Sequence, residues 1–311
     1  MKSVVFKRIL LHLLILVLLI LPFLKYSEEI TDAKAAFRLY LLEIRKSSDA
    51  PKTMEEVKSF TAPIVEDAWF LDAPLIHHAG GGLDGNTYIN SPEAIAASLE
   101  EGKYFLEIDL RHTSDGHLVC AHDWTDVCYK WDDAYLGDND PTLEDFLAVQ
   151  VQGEYSPLTA EELIAIMADN PQMYLVTDIK SGELHTVIAE LVQLADRDPA
   201  ILDRFVIQLY TGREKAEILK VYPFQDTQFL FTLYNWGTFK PEVVQICYEE
   251  NISVITAPFG DISDTDISIL RDLGYTVYEH TVNRIDQIRG SQDRGVSGFY
   301  TDFLSDSDLK K

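Results

Sequence analysis

Carboxylate and imidazole side chains stand at the ends of several short apolar runs in this chain. Glu107 and Asp109 are two residues apart within one run, so both point to the same face of an extended strand. Asp178 lies near the end of a second run, His78 lies near the end of a third, and His122 follows a short hairpin pattern. Two carboxylates held side by side repel each other unless a cation or protons lie between them. The pattern therefore predicts a cation site beside two histidines that can act as general acid and general base.

The carboxylates of Glu107, Asp109 and Asp178 offer oxygen ligands, and no cysteine or histidine accompanies them at a matching spacing. Such a set favours a hard divalent cation, Mg²⁺ or Ca²⁺, and does not choose between the two. Each feature alone has a structural explanation, since a histidine at a strand end is often a packed residue and a Glu-x-Asp pair is often a solvated edge. Their joint occurrence at successive strand ends is what indicates an active site.

The elements that must carry these residues are apolar, β-branched runs that alternate with helical patterns from Leu75 onward. The predicted strands cover residues 75–79, 105–110, 174–179, 205–210, 228–233, 253–257, 276–281 and 298–301. The predicted helices cover residues 92–101, 160–169, 184–195, 213–221, 241–250, 264–273 and 284–289. About eight strands, each followed by a helix or by the chain end, predict an α/β fold of the closed (β/α)8 TIM barrel type. Chemistry in such a barrel lies at the carboxyl ends of the strands, where the carboxylates and histidines stand.

An open, doubly wound sheet is the alternative fold. Gly80, Gly82 and Gly85 match the bare spacing of a dinucleotide-binding loop, but the helical pattern begins only at Pro92, so these glycines do not open a helix. The connection over residues 111–172 is longer than the others. It begins with a hairpin predicted over 117–122 and includes a polar, acidic stretch over 132–140.

Several motifs resemble, in the same order, those of the glycerophosphodiester phosphodiesterase family. They are Ile76-His77-His78-Ala79-Gly80-Gly81, Asn90-Ser91-Pro92-Glu93-Ala94, Glu107-Ile108-Asp109, Thr113-Ser114-Asp115-Gly116 and His122-Asp123. Near the chain end, His280-Thr281-Val282-Asn283 and Gly298-Phe299-Tyr300-Thr301-Asp302 are similar to two further family motifs. The resemblance covers roughly residues 75–304. It implies a TIM barrel that hydrolyses phosphodiesters with two histidines and one divalent cation.

The resemblance also assigns roles to individual positions. The expected acid–base pair is His78 and His122. The expected metal ligands are Glu107, Asp109 and Asp178.

The remaining polar residues near the strand ends have weaker assignments. His77, on the opposite face of its strand, and Asp302, in the last strand, are expected to be structural. Five other side chains are candidates for substrate or phosphate contact, although packing at the barrel mouth would explain most of them equally well. These candidates are Lys180, Gln208, Tyr234, Trp236 and His280.

The chain departs from the family pattern at several positions. Ala79 stands where the family has an arginine that contacts phosphate, and Ile89 stands where it has a glutamate. The third metal ligand is Asp178 where glutamate is usual, and Lys180 follows it. This Asp-x-Lys pattern is similar to the sphingomyelinase D-like phospholipases, so a lipid phosphodiesterase of that kind is an alternative. The substrate is therefore expected to be a phosphodiester small molecule or a lipid head group.

The 311-residue chain carries 26 basic and 51 acidic residues, for a formal net charge of −25. This balance argues against nucleic acid as a partner, since affinity for phosphate backbones comes from clustered lysine and arginine. It argues equally against docking on anionic lipid through a basic patch.

Two alternatives to a phosphodiesterase stay open. One is a catalytically inactive exported barrel that acts as a binding module, and the other is a membrane-anchored scaffold.

The first 25 residues differ from the rest of the chain. Basic residues precede a run over 9–24 that is apolar except for His12. This pattern predicts a transmembrane anchor helix, or a cleaved signal segment that would leave a secreted protein. The positive flank would hold the N-terminus in the cytoplasm and place the catalytic domain outside it. Residues 26–70 are expected to form a helical stalk or linker with a capped helix over 53–60, and residues 71–311 the catalytic domain.

Export would expose the three cysteines of the chain to an oxidising compartment. A bridge between Cys120 and Cys128 is then one interpretation, and two small apolar residues that never meet is the other. Both interpretations stay open at the level of the sequence.

Overall fold

The structure is a computed structural model that describes residues 51–122, 124, 140–179, 182–233 and 239–310. The described chain from Lys52 onward forms one compact unit. The anchor predicted over 1–25, the stalk up to residue 50, the acidic stretch over 132–139 and Cys128 lie outside the described residues. Within the described part, no helix is both long and apolar enough to cross a membrane.

Eight parallel strands close into a barrel, and every strand predicted from the sequence is present. The strands in chain order are β1 (Leu75–His77), β2 (Phe105–His112), β3 (Leu118–Cys120), β4 (Tyr174–Ile179), β5 (Phe205–Leu209), β6 (Phe229–Thr232), β7 (Val254–Pro258), β8 (Thr276–His280) and β9 (Gly298–Thr301). β1 pairs in parallel with both β2 and β9, which closes the barrel. β3 pairs antiparallel with β2 and forms the predicted hairpin. Closure excludes the open, doubly wound sheet.

Helices follow the strands as the sequence predicts. In chain order they are α1 (Pro92–Glu100), α2 (Leu143–Ala148), α3 (Ala160–Asp169), α4 (Leu184–Leu194), α5 (Pro199–Leu202), α6 (Glu214–Val221), α7 (Pro241–Glu249), α8 (Asp264–Asp272), α9 (Ile285–Arg294) and α10 (Asp306–Leu309). The Ser91 hydroxyl accepts a hydrogen bond from the Ala94 amide and caps α1. The helix thus begins at Pro92, and the preceding glycines do not open it. The sequence did not predict the short helices α2, α5 and α10.

The helix predicted over residues 53–60 is wrong, because these residues form a series of turns. The segment is too short to be stable as a helix by its own propensity, so tertiary packing decides its conformation. Val57 is fully buried in the main core between the barrel and its helices. This part of the predicted stalk therefore packs on the barrel.

Strand β2 shows how the barrel separates apolar from polar side chains. Leu106, Ile108 and Leu110 belong to the core between the strands and the surrounding helices. Glu107 and Asp109 alternate with them and face the barrel interior, with 2% and 3% of their surfaces exposed. The predicted two-residue alternation is confirmed, and it brings both carboxylates inside the barrel.

The amino ends of the strands, here called the barrel floor, are covered by the chain that precedes β1. The Trp69 indole donates a hydrogen bond to the Thr227 carbonyl at 2.8 Å and lies against Phe105 and Tyr278. Phe70 joins the cluster of apolar side chains inside the barrel. The floor is therefore closed, and polar side chains gather at the opposite end of the barrel, here called the mouth.

Arg204 joins several elements at the floor. Its guanidinium donates hydrogen bonds to the carbonyls of Asn170, Met173 and Met167 at 2.9, 2.7 and 2.8 Å. These carbonyls lie at the end of α3 and just before β4. One side chain thus donates hydrogen bonds to several backbone carbonyls at the point where the chain passes from a helix to the next strand.

Candidate active site

Three carboxylates converge at the mouth, as the sequence predicts. Asp109 and Asp178 are direct neighbours in the parallel pairing of β2 with β4, and Glu107 lies two residues below Asp109. One oxygen from each of the three side chains lies within 4.8 Å of the others. The closed barrel produces this convergence, since residues on the interior face of adjacent strands point to a common axis.

The electrostatics of this cluster suit a cation. Burial, and then the charge of Asp109, raise the pKa of Glu107 well above its usual value. The same two causes raise the pKa of Asp178 from 3.8 to about 6. Glu107 Oε1 is buried without a hydrogen-bond partner among the described residues. A divalent cation between the carboxylates would offset their repulsion and engage this oxygen, so the donor set fits Mg²⁺ or Ca²⁺.

Hydrogen bonds fix the orientation of the two β2 carboxylates. Glu107 Oε2 accepts from the Ala79 backbone N–H at 2.9 Å. Asp109 Oδ2 accepts from Asn90 Nδ2 at 2.8 Å, and the Asp109 amide donates back to Asn90 Oδ1 at 3.1 Å. Ala79 and Asn90 both have positive φ, 51° and 46°, which is uncommon for residues with a side chain. The backbone thus adopts costly conformations at the two positions that orient the carboxylates.

His78 stands directly after β1 with its ring near the carboxylates. Nδ1 lies 2.8 Å from Asp302 Oδ1, and Nε2 lies 3.9 Å from Glu107 Oε2. Burial opposes a charge on this ring, but the hydrogen bond with Asp302 and the charges of Glu107 and Asp109 outweigh it and raise the pKa of His78 from 6.5 to about 9. With Nδ1 held by Asp302, Nε2 is the nitrogen that can exchange a proton at the mouth.

Asp302, expected from the sequence to be structural, contacts the candidate catalytic side chain of His78. Asn283 holds it in place: Asn283 Nδ2 donates to Asp302 Oδ2 at 2.5 Å, and the Asp302 amide donates to Asn283 Oδ1 at 2.7 Å. The alternation along β9 that places Tyr300 inside the barrel also places Asp302 on that side. The signal for its role was thus present in the sequence.

His122 follows the β3 hairpin and is held through its backbone. The neighbouring Ala121 amide donates to the Asp109 carbonyl at 3.1 Å, and Arg111 Nη1 donates to the His122 carbonyl at 3.2 Å. The Arg111 guanidinium also lies 4.4 Å from the centre of the Trp124 ring. Strand β2 therefore supplies two carboxylates to the site and also positions the second histidine.

The two histidines share an aromatic neighbour that no sequence pattern singled out. The Tyr88 ring centre lies 4.4 Å from that of His78 and 5.0 Å from that of His122, both in edge-on geometry. Tyr88 is 38% exposed, so its ring forms part of the open surface of the mouth. The predicted acid–base pair is thus brought together around a single tyrosine ring.

The candidate contact residues that the structure describes are both buried or nearly so. Gln208 lies inside the barrel, where its amide bonds to Tyr210 and Tyr300, so substrate contact stays a prediction. His280 ends β8 beside the site, and burial, together with the charge of His78, lowers its pKa to about 4. Lys180, Tyr234 and Trp236 lie outside the described residues.

His77 has an environment different from that of His78, the histidine that follows it. The residue is buried, and burial followed by the charge of Lys103 lowers the pKa of His77 to about 3. An imidazole that stays neutral over the physiological pH range fits the structural role expected for it.

Tyr210 is a further residue that sequence reasoning missed. Its hydroxyl donates a hydrogen bond to Asp178 Oδ1. Tyr210 follows the end of β5, and nothing in its immediate sequence distinguishes it from a packed aromatic residue. Only the pairing of β5 with β4 brings the hydroxyl to the carboxylate.

A closed barrel with two imidazoles and three convergent carboxylates at its mouth has the groups that acid–base hydrolysis requires. The sequence profile of the glycerophosphoryl diester phosphodiesterase family matches residues 82–305. The chain belongs to this family and is accordingly a phosphodiesterase, as the motif resemblance implied. A comparison with curated proteins finds no match.

Solved structures share the fold at low sequence identity. A phosphodiesterase from Oleispira antarctica, in complex with the product sn-glycerol-3-phosphate, is 14% identical with a TM-score of 0.61, over 82% of this chain and 99% of that one. A glycerophosphodiester phosphodiesterase from Parabacteroides distasonis is 18% identical with a TM-score of 0.59, over 77% and 96% of the two chains. One from Thermotoga maritima is 16% identical with a TM-score of 0.52, over 74% and 94%.

Proposed function

We propose that this chain hydrolyses glycerophosphodiesters with the help of one divalent cation, Mg²⁺ or Ca²⁺, and releases glycerol phosphate and an alcohol. The observation that carries the proposal is the convergence of Glu107, Asp109 and Asp178 within 4.8 Å, next to His78. The glycerol phosphate bound to the related Oleispira antarctica phosphodiesterase supports the product class.

The side chains divide the work of hydrolysis between them. A divalent cation bound to the three carboxylates would draw charge from a non-bridging phosphate oxygen. One imidazole of the pair His78 and His122 removes a proton from the attacking water or hydroxyl, and the other protonates the leaving alkoxide. Asp302 holds Nδ1 of His78, so that Nε2 takes part in the proton transfer. Such acid–base assistance is worth about 10²–10⁴ in rate.

Positive charge at the mouth must offset the repulsion between a phosphodiester and a chain with a net charge of −25. Ala79 stands where the family has an arginine, and its backbone N–H is already used by Glu107. Lys180 is proposed to supply a point charge to the phosphate together with the cation. Further substrate contacts are proposed for four side chains, Gln208, Tyr234, Trp236 and His280.

The substrate class is tested by product analysis on a panel of glycerophosphodiesters and lysophospholipids, followed by phosphorus NMR with Mg²⁺ or Ca²⁺ present. Glycerol phosphate from the water-soluble diesters is the expected product. Faster turnover of the lysophospholipids, or accumulation of a cyclic phosphate, would favour the sphingomyelinase D-like or phospholipase D-like alternative. No turnover of any diester would favour an inactive barrel that acts as a binding module.

The roles of the histidines are tested by the variants His78→Ala and His122→Ala. Each is expected to lower kcat by about 10²–10⁴-fold, because one proton transfer loses its partner. His185→Ala, at an exposed position on α4, serves as the matched control and should keep full activity. Normal turnover in either active-site variant, with an unchanged circular dichroism spectrum, would remove that histidine from the mechanism.

We also propose that residues 1–25 anchor the protein in a membrane with the catalytic domain outside the cytoplasm. The apolar run over 9–24 and its basic flank support this proposal. Protease treatment of intact cells tests it: digestion of the barrel without lysis is the expected outcome, and protection until lysis would contradict it. Release of the barrel into the medium would indicate cleavage of this segment.

A further inference from the structure

Asp178 differs from the other two carboxylates in how it is held. Glu107 and Asp109 accept hydrogen bonds from the backbone of Ala79 and from the Asn90 amide, both in the segment that follows β1. Asp178 instead accepts a hydrogen bond from Tyr210, a residue that follows the next strand of the barrel. Among the described residues, the hydrogen bond that orients its side chain thus comes from one hydroxyl group of a separate element.

The backbone of Tyr210 is itself fixed. Its amide and the amide of Thr211 donate to the same Glu214 oxygen, at 2.6 and 2.8 Å. Glu214 is the first residue of α6, so the turn that carries Tyr210 is tied to the helix that follows it. The hydrogen bonds to Glu214 thus fix the backbone that carries the Tyr210 ring.

A row of hydrogen bonds extends from Tyr210 across the barrel interior. Gln208 Nε2 donates to the Tyr210 hydroxyl at 3.1 Å, and the Tyr300 hydroxyl donates to Gln208 Oε1 at 3.1 Å. All three side chains are buried, with 5%, 5% and 3% of Gln208, Tyr210 and Tyr300 exposed. Toward the floor, the next inward-facing side chains on these two strands are apolar and buried: Val176 precedes Asp178 by two residues, and Val206 precedes Gln208 by two residues.

The carboxylate at one end determines the direction of the whole row. An ionised Asp178 can only accept, so the Tyr210 hydroxyl must donate to it. The lone pairs of that hydroxyl then accept from the Gln208 amide group, which leaves the Gln208 carbonyl facing Tyr300. Every donor in the row points toward Asp178. Hydrogen bonds aligned in this way polarise one another, so each bond becomes stronger where water is excluded.

We propose that Tyr210 is a positioning residue for the metal ligand Asp178, and that Gln208 and Tyr300 fix the direction in which its hydroxyl donates. With Oδ1 engaged by Tyr210, the other oxygen of Asp178 is presented to the cation. This inference rests on the proposed function for the presence of a cation, but it concerns binding of the cation and not turnover.

The test is direct titration of the metal-free protein with Mg²⁺ and with Ca²⁺ by isothermal calorimetry. Tyr210→Phe removes one hydroxyl and keeps the ring, and it is expected to weaken cation binding by about 10–100-fold, the range for partners of metal ligands. The cation concentration for half-maximal activity should rise in parallel, while kcat at saturating cation changes little. A merely structural role would not separate these two quantities.

Tyr278→Phe is the matched control. Tyr278 is a buried tyrosine of the same barrel, but its hydroxyl donates to the Ala73 carbonyl at the floor, 2.6 Å away. This variant should lose some stability and keep the cation affinity of the wild type. Tyr300→Phe removes the far end of the row and should weaken cation binding less than Tyr210→Phe, and it keeps the proposal testable if Tyr210→Phe does not fold.

The outcomes separate this inference from the proposed function. Equal cation affinity in the wild type and in folded Tyr210→Phe would overturn the inference, as would an equal loss in Tyr278→Phe. Cation binding without hydrolysis of any diester would contradict the proposed function alone. A wild-type chain that binds neither cation would overturn both.

Discussion

His78 presents a single ring nitrogen to the mouth because Asp302 engages the other at 2.8 Å. The same carboxylate contributes to the raised pKa of His78, about 9. A histidine that must carry a proton during catalysis needs both effects, since its tautomer sets the direction of transfer and its pKa sets the protonated fraction. Asp302 therefore fixes the tautomer of His78 and helps to raise its pKa through Nδ1, the ring nitrogen that does not face Glu107.

Asp302→Asn is expected to lower the pKa of His78 from about 9 toward 6.5, because a hydrogen-bonded negative charge is lost. Proton NMR titration of the imidazole in metal-free protein measures the shift, and kcat should fall at the same time. Asp272→Asn, at an exposed acidic residue that ends α8, is the control and should leave both quantities unchanged. A His78 pKa that stays at about 9 in the Asp302→Asn variant would show that the other carboxylates suffice.

At the scale of the elements, features that depend on neighbouring residues in the sequence were predicted, and features that depend on contacts between distant residues were not. The two-residue alternation of β2 placed Glu107 and Asp109 correctly, because local sequence alone determines which side chains share a strand face. The contact of Tyr210 with Asp178 depends on strand pairing, and Tyr88 reaches the histidines from a loop with a φ of 56°, so neither leaves a sequence signal. The turns over 53–60 were missed for a similar reason, since packing of this segment on the core overrides its local propensity.

Arg204 provides a prediction about an element junction. Arg204→Met removes the guanidinium donors from the carbonyls at the end of α3, and it is expected to lower the free energy of unfolding by about 3 kcal/mol. Urea denaturation measures this change. Arg197→Met removes an exposed arginine that bonds to the Val221 carbonyl and should change stability far less. Diester hydrolysis should be kept in both variants, because the junction lies at the floor and the site at the mouth.

For the whole molecule, the carboxylate cluster couples stability to pH and to cations. Asp178, with a pKa of about 6 against 3.8, and Glu107, also raised, bind protons more tightly in the folded chain than in the unfolded chain. Their contribution to stability is fully present below their ordinary pKa values, and that of Asp178 is lost as the pH rises through about 6. His78 acts in the same direction between pH 6.5 and about 9. His77 and His280, with pKa values lowered to about 3 and about 4, act in the opposite direction below pH 6.5. The metal-free protein should therefore lose stability as the pH rises from 6.5 toward about 9.

A cation bound at the proposed site would replace the protons of the carboxylates, so Mg²⁺ should stabilise the protein more at about pH 8 than at about pH 5. At a hundredfold excess over its Kd, the expected gain in the free energy of unfolding is about 3 kcal/mol. Differential scanning calorimetry with and without Mg²⁺ at the two pH values measures it. Asp178→Asn should lose most of this gain, because one charged ligand is removed. An equal gain at both pH values in the wild type would contradict the assignment of the cluster as the cation site.

The closed floor has a consequence for handling the enzyme. Because Trp69 and Phe70 seal the end of the barrel opposite Glu107 and His78, the polypeptide enters β1 from the side remote from catalysis. A bead or a label attached to the segment just before Trp69, where Val65 and Ala68 pack on the floor, would lie on the side of the sealed end. Small diesters would still diffuse unhindered to the open end, so immobilised preparations should keep the KM of the free enzyme.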